Sequence, residues 1–517
     1  MKTLVVSLLR MGDFFQQIQL LRQLSETTQV HVLLNESLRE AAAIFPEFEY
    51  RFFPRQQLQD LLTSSQANTL AAFETLQNFC SGLNQEGYSE IQNWTHNFLS
   101  ARLIDLLEVP KKTGCRFEQG QAVKMRCAEV YLNEVWGPSR RPSFHWMDAV
   151  QMSLGVSRAA LMKADQHRHG PTYLQIFTSD EKKNWPQVQW LEVAARIRDL
   201  GEDVRILCAP FELEKLKTEF YAYRIEVLGL ADLRDTLTKA KLVISGDTAI
   251  IHLAALTRTP VLGLYLGSAD PFKTGPQQHL ARVLWPEVDC SPCRHAKACD
   301  QRSHLCAESL KPEDVLSEVE SMMGHGVKSN RASNLRAFGV LPGPTGRTLL
   351  SEMGQGQDQA WAQLVWEFYL NRDHEQNVAP YGSAARLMSQ QIICRKSGRS
   401  WIEILKVKVQ KTEVILEDLS FLIWKDLKSL NAGQRQDSSD AQMRLLTESL
   451  RVLWPRADFF NRLVESMHVG DENPFLKLKT RKEALHEAAE LTFIQKNLVR
   501  KLEQELTEKE DTDGARA

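Results

Sequence analysis

Asp247, Thr248 and His252 stand together in "KLVISGDTAIIHLAALTRTPVLGLYLGSADPFKTGP", where a β-branched run meets a glycine and then an apolar helical stretch. A helix that begins at Thr248 and Ala249 directly after a strand presents unpaired N–H groups and the positive end of its dipole, a ready site for an anion such as a phosphate. Gly246 lets the backbone turn there. His252, one turn along the helix, is in reach to give such an anion a hydrogen bond or a proton; read alone, it equally serves as a packed core residue. In "IFTSDEKKNWP" another strand ends in Thr178 and Ser179, followed by Lys183. Hydroxyls and one lysine facing a helix N-terminus suit a diphosphate. In "LLRMGDFFQQIQLLRQL" Gly12 permits a tight strand-to-helix turn and Asp13 stands at the helix start, as a cap or as a base at the rim of a cleft.

Cys290, Cys293, Cys299 and Cys306 form C-x2-C-x5-C-x6-C in "CSPCRHAKACDQRSHLC". That density in a reducing compartment suggests metal or redox chemistry, but the spacing matches no standard zinc pattern, so a structural thiol-rich loop or a pair of disulfides is the commoner reading and a structural zinc or iron–sulfur site the alternative. The other cysteines are scattered singly, as buried thiols are.

Short apolar strands alternate with helical stretches from the first residues: "TLVVSLL", "FFQQIQLLRQLSE", "QVHVLLN", "SLREAAAIF", "EYRFF". This is βαβαβ, and it predicts a parallel sheet flanked by helices. The rhythm fades between about residues 110 and 170, where "GPSRRPSFHW" and "DQHRHGP" read as loop and linker. It resumes at "TYLQIFTS", "PQVQWLEVAARIRDLG", "DVRILCAP", "ELEKLKTEFYA", "RIEVLG", "LADLRDTLTKA" and "KLVISGD". Two such halves make a bilobal α/β protein with its ligand in the cleft beyond the carboxyl ends of the strands. The expected divisions are an acceptor-side lobe over 1–165, a donor-side lobe over 171–325, a linker over 326–340, a helical domain over 341–510 and a disordered tail over 511–517. Leu416, Leu419, Ile423, Leu427 and Leu430 set the helical stripe of that domain, with Met443, Leu446, Leu450 and Leu453, and Leu491, Ile494, Leu498 and Leu502.

The chain has 517 residues, 43% apolar and 25% charged, which is a folded multidomain composition. A net charge of −2 argues against a broad nucleic-acid face. The N-terminal apolar run is broken by Arg10 and Asp13 well short of the ~20 residues that span a bilayer, so a cytosolic protein is expected.

The order of "MGDFFQQIQLLRQL", "FTSDEKKNWP", the Asp247–His252 segment and the cysteine loop resembles the ADP-heptose:lipopolysaccharide heptosyltransferases of glycosyltransferase family 9, over roughly residues 1 to 325. "NWTHNFLSARLIDLL" also looks like a family segment on the acceptor side, whereas the region beyond residue 330 has no counterpart. The resemblance implies a GT-B fold and an inverting transfer from a nucleotide diphosphate sugar, ADP-heptose, to a lipopolysaccharide core or related glycan, with no catalytic metal and no cofactor. It implies Asp13 as general base and Thr178, Ser179 and Lys183 at the diphosphate. Glu212 would hold the nucleoside, and Asp247, Thr248, Ala249 and His252 would complete the donor site, Ala249 standing where the family has glycine. A lipid-linked acceptor implies contact with the inner face of the cytoplasmic membrane, for which Arg51, Phe52, Phe53 and Arg55 are candidates. A transferase acting on a protein or another polysaccharide through the extra helices, and a non-catalytic nucleotide-sugar-binding scaffold, are the rival readings.

Overall fold

A computed structural model describes residues 1–63, 68–95, 97–123, 144–154, 161–165, 168–294, 298–324, 334–343, 347–352, 398–431, 443, 446–447, 449–450, 481 and 484–500, and every structural statement concerns these. The chain divides into two compact units, one built on the first 341 residues and one on the C-terminal helices.

In the first unit, β1 (Lys2–Ser7), β2 (Gln29–Asn35), β3 (Glu49–Phe53), β4 (Glu90–Asn93) and β5 (Lys111–Thr113) form a parallel sheet in the order β3-β2-β1-β4-β5. Leu4, Val5 and Val6 of the central strand are fully buried, as a strand covered on both faces requires. Helix α1 (Met11–Ser25) follows β1, and α2 (Trp146–Leu154) lies in the stretch expected to be loop. Its fragment "WMDAVQMSL" is buried along nearly its whole length, so an apolar helix was hidden behind the polar residues that precede it.

A second sheet contains β6 (Thr172–Gln175), β7 (Val204–Cys208), β8 (Arg224–Val227), β9 (Leu242–Gly246), β10 (Val261–Leu264), β11 (Arg282–Pro286) and β12 (Leu335–Pro342), in the order β8-β7-β6-β9-β10-β11-β12. The pairs from β8 through β11 are parallel and β11 with β12 is antiparallel; an eighth strand, Thr348–Glu352, lies beyond β12. Helices α3 (Gln187–Asp199), α4 (Leu230–Lys239), α5 (Ala249–Leu256) and α6 (Pro312–Met322) belong to this lobe. The chain leaves α3 through Gly201 at φ 85°, a left-handed position that glycine takes without strain. Trp190, Val193 and Ile197 of α3 and Val315 and Val319 of α6 pack on Leu174, Ile206 and Ile244 of the sheet.

Strand order reverses between β1 and β4 in one lobe and between β6 and β9 in the other, and a crevice opens beyond the carboxyl ends at such points. Asp13, Thr178 and Asp247 follow β1, β6 and β9 almost directly. Two Rossmann-like lobes bordering one cleft give the first unit a GT-B architecture.

Several boundaries differ from the sequence reading. Leu335–Pro342, expected as linker, adds antiparallel to β11, with Leu335 and Ala337 buried on one face of "LRAFGVLP" and Phe338 and Val340 on the other. Thr348–Glu352, expected as helix, is a strand, β13. Met162–Lys163 pairs with Gln278–His279, so the chain meets the second lobe before residue 171. "ELEKLKTEFYA" forms two 3₁₀ turns, Pro210–Lys215 and Thr218–Ala222, in place of one helix.

In the second unit α7 (Gly398–Asn431) buries Leu416, Leu419 and Ile423, and the later helical residues bury Met443, Leu450, Leu491, Ile494 and Leu498. Leu446 is half-buried, and Lys496 Nζ lies 2.8 Å from Glu413 Oε1. The side chains of Leu427 and Leu430, and Leu453, Leu502 and the tail 511–517, lie outside the described residues. Among the described residues no helix is long and apolar enough to cross a membrane.

Candidate functional site

The cleft encloses about 1830 Å³ and is lined from the first lobe by Gly12, Asp13, Gln16 and Trp146, and from the second by Thr178, Ser179, Lys183, Glu212, Asp247, Thr248, Ala249 and His252. The residues singled out from sequence for base and donor roles therefore border one space. Gly246 lies just beneath it, buried at the end of β9.

Gly12 is the second residue of α1 and not a turn residue; what needs its small size is the approach of α5. A Cβ on Gly12 would stand 3.4 Å from His252 Cδ2 and 3.5 Å from the Cα of Ala249. The N-terminal turns of α1 and α5 thus meet across the lobes. Asp13, next in α1, accepts the Arg10 N–H at 3.3 Å through Oδ2, the bond a residue in the first turn makes to close a helix start. Burial pushes its carboxyl from the ordinary 3.8 up to about 6; the Arg10 N–H opposes this, the neighbouring Asp247 adds to it, and the charges of Arg10 and Lys183 oppose it. A carboxylate tuned in this way is ionised at neutral pH and more basic than an exposed one.

Lys183 Nζ donates to Asp247 Oδ2 at 2.8 Å, and Thr274 Oγ1 donates to Asp247 Oδ1 at 3.4 Å. Lysine and aspartate come from the loops after β6 and β9, so this pair closes the switch point of the second sheet. Thr248 is the N-cap of α5, yet its hydroxyl makes no cap bond and pairs with Ser245 Oγ at 3.0 Å. The first turn of α5 is left without a side-chain cap, beside the Lys183 ammonium.

Thr178 lines the cleft, and its side chain is engaged within its own loop. Its hydroxyl donates to Asp180 O at 2.7 Å and accepts the Asp180 N–H at 3.3 Å, while its own N–H goes to Asn184 Oδ1 at 2.8 Å. The side chain braces the loop that carries Lys183, a local alternative open to any threonine in a turn. Ser179 is exposed at the rim. Glu212 is buried and accepts the Ala209 N–H at 2.9 Å; burial raises its carboxyl, against that N–H, Lys215 and Gln175. Burial drives His252 from 6.5 down to about 4, with Asp247 pulling the other way and His145 and Lys183 reinforcing the fall. A ring that is neutral at pH 7 carries one N–H, through which it can give an anion a hydrogen bond.

A Cβ at Gly246 would come within 2.8 Å of Thr178 Cγ2. Gly246→Ala is expected to displace the Thr178–Asn184 loop, cost about 1–3 kcal/mol in urea unfolding and weaken nucleotide binding in titration. Unchanged stability and affinity would show that the loop is not held this way.

The four-cysteine loop borders the cleft through Cys293. Cys306 is buried with its Sγ accepting the Gly267 N–H at 3.4 Å, while Cys293 N donates to Gly267 O at 2.9 Å. Among the described residues every cysteine is free, which removes the disulfide alternative there, and no three His, Cys, Asp or Glu side chains converge as a metal-binding group. Burial first, then the neighbouring thiols, pushes Cys293 up to about 11. In the basic and aromatic patch Arg51 is paired with Glu86, Phe53 is buried in the core, and Phe52 lies under the Arg39 guanidinium at 4.1 Å. Arg55 is exposed and reaches the cleft.

Trp146, Gln16, Lys273 and Thr274 were not singled out from sequence, although "DPFKTGP" directly follows the Asp247 helix and strand. Lys273 is buried 3.8 Å from Asp270, and burial lowers its ammonium.

The model of glycosyltransferase family 9 (heptosyltransferase) matches residues 146–304. Lipopolysaccharide heptosyltransferase 1 of Pseudomonas aeruginosa is 28% identical over 191 residues, 33% of this chain and 52% of that protein. Lipopolysaccharide heptosyltransferase 1 of Escherichia coli K12 is 35% identical over 105 residues, 19% of this chain and 32% of that protein. The chain spans about half the length, or less, of the curated relatives it matches. Among solved structures, the glycosyl transferase family 9 protein of Veillonella parvula aligns with a TM-score of 0.46 and 15% identity, over 63% of this chain and 97% of that one. The E. coli heptosyltransferase WaaC with ADP-2-deoxy-2-fluoro heptose aligns with a TM-score of 0.42 and 18% identity, over 62% and 99%. Over residues 146–304 the chain is thus similar to glycosyltransferase family 9, the heptosyltransferases, and its curated relatives carry that name.

Proposed function

We propose that this chain is an inverting glycosyltransferase that moves heptose from ADP-heptose onto a lipopolysaccharide core or related cell-surface glycan, working on the cytoplasmic side of the membrane without a required metal or cofactor. The observation that carries the reading is one cleft in which a carboxylate raised to about 6, Asp13, faces a Lys183–Asp247 pair and an uncapped helix start. The relatives, named for heptose transfer to lipopolysaccharide, support the donor and acceptor classes.

In this reading the acceptor hydroxyl gives its proton to Asp13 as its oxygen bonds to the anomeric carbon. The bond from that carbon to the diphosphate oxygen breaks on the opposite face, and the electron pair leaves with the diphosphate. Lys183 and the first amides of α5 stabilise the departing charge. A nucleoside diphosphate is a sufficient leaving group without a second acid, in keeping with a neutral His252. Glu212 lines the same cleft, and in this reading it is the residue that holds the nucleoside.

Incubation with ADP-heptose and a heptose-deficient core acceptor should release ADP and add one heptose to the acceptor by mass. ADP-heptose consumption only with another acceptor would move the reading to that acceptor. No consumption with any acceptor would favour a binding scaffold.

A further inference from the structure

The side-chain amide of Gln16 is held from both ends. Its Oε1 accepts the indole N–H of Trp146 at 2.9 Å, and an indole can only donate. Its Nε2 lies 3.4 Å from Gly12 O, and a carbonyl can only accept. These two partners fix which end of the amide is nitrogen. The same Nε2 lies 3.3 Å from His252 Nε2, so the histidine nitrogen must be the acceptor and the ring proton sits on Nδ1. Nδ1 is buried and has no hydrogen-bond partner among the described residues.

Trp146 is itself fixed. His145, the residue before α2, accepts the Met147 N–H at Nδ1 (3.2 Å) and donates from Nε2 to Gly275 O (3.0 Å), which ties the start of α2 to the loop after β10. Gln16, Trp146 and His252 are all buried, and they lie 130 and 236 residues apart in sequence. The titratable groups around the His252 ring are Asp247, with Oδ1 4.0 Å from Nε2, and His145 and Lys183; burial keeps His145 neutral.

We propose that Trp146 and Gln16 are positioning residues that hold His252 as the neutral Nδ1–H tautomer and latch the Asp13-bearing turn of α1 to the N-terminus of α5, which sets the reach from base to donor. His252 then serves as a fixed, uncharged wall of the donor site and not as an acid. The latch also accounts for Gly12: the bond from Gln16 to Gly12 O and the approach of Ala249 to the Gly12 Cα occupy the same turn. Its consequence for turnover rests on the transferase reading above; its chemistry does not.

The test is nitrogen-detected NMR of the full-length chain with labelled histidine, with His252→Asn to assign the ring. The wild type should show an unprotonated Nε2 and a protonated Nδ1, with no titration above pH 5. In Gln16→Glu the amide nitrogen becomes a carboxylate oxygen, so the ring should move its proton to Nε2 and titrate more than about one unit higher. Trp146→Phe frees the amide to turn and should give a mixture of tautomers with kcat reduced about tenfold or more and nucleotide Kd within about twofold. A protonated Nε2 in the wild type, or titration near 6.5, would overturn the proposal without any variant having to fold. So would variants that leave tautomer and titration unchanged. A wild type that shows the expected tautomer but no turnover on any acceptor would sink the transferase reading alone.

Discussion

Asp13→Asn is expected to lower transfer by about 10²–10⁴-fold, the usual contribution of a positioned general base, while the protein becomes more stable at pH 7. Asparagine keeps the oxygen that accepts the Arg10 N–H, so the helix start is retained. The stability sign follows from the raised carboxyl. Below 3.8 the acid is protonated whether folded or not, and it imposes no penalty. As pH rises toward about 6 the unfolded chain ionises first, and stability is lost until the folded form ionises too. Removing the charge should therefore return about 1–2 kcal/mol at pH 7, after allowance for the solvent that reaches a half-buried group. That gain should vanish below pH 4. In the wild type, kcat/KM should fall on the acid side with a midpoint near 6, and the limb in kcat should lie higher, because a bound diphosphate adds negative charge beside the carboxyl. Retained transfer in Asp13→Asn, or a pH profile flat through 6, would remove Asp13 as the base.

Lys183→Ala should have the second large effect, on two properties at once. The side chains of Lys183 and Asp247 are only 10% and 12% exposed. Removal of the lysine leaves a mostly buried carboxylate unpaired, at about 2–4 kcal/mol of stability. On the proposed mechanism it also removes the ammonium that stabilises the departing diphosphate, which should cost about 10²–10³ in kcat. The two effects can be separated. The double variant Lys183→Ala, Asp247→Ala should recover most of the stability, since neither charge is stranded, but none of the transfer. Lys183 also lowers the Asp13 carboxyl, so the acid limb of Lys183→Ala should move to higher pH. Recovery of transfer in the double variant would make the lysine structural.

What the sequence made legible depended on how local each feature is. The strands before Asp13, Thr178 and Asp247 are apolar runs ended by polar residues, and a parallel sheet exposes its strand ends to the cleft, so the place of the three positions at strand ends followed from periodicity and the roles expected of them from the family resemblance. Trp146 and Gln16 did not. Gln16 sits on an amphipathic helix like any polar residue, and its meaning comes from partners 130 and 236 residues away. Thr178 illustrates the opposite limit: its place in the cleft was legible, but whether its hydroxyl faces ligand or its own loop depends on turn geometry over Asp180 and Asn184. β12 falls in the expected linker because the polar "GHGVKSNRASN" runs straight into it, and a strand that adds antiparallel to the edge of a distant sheet gives no local sign of its partner.

The central claim is that this cleft binds a nucleotide diphosphate sugar through Lys183 and the start of α5. Calorimetric titration of ADP, UDP and GDP and their common sugar conjugates, on the wild type and on Lys183→Ala, tests it most directly. The account predicts preferential binding of ADP and its sugar conjugate, weakened by the substitution. Tight binding of a UDP or GDP sugar would contradict the choice of donor, and no binding, or binding indifferent to Lys183, would contradict the site itself.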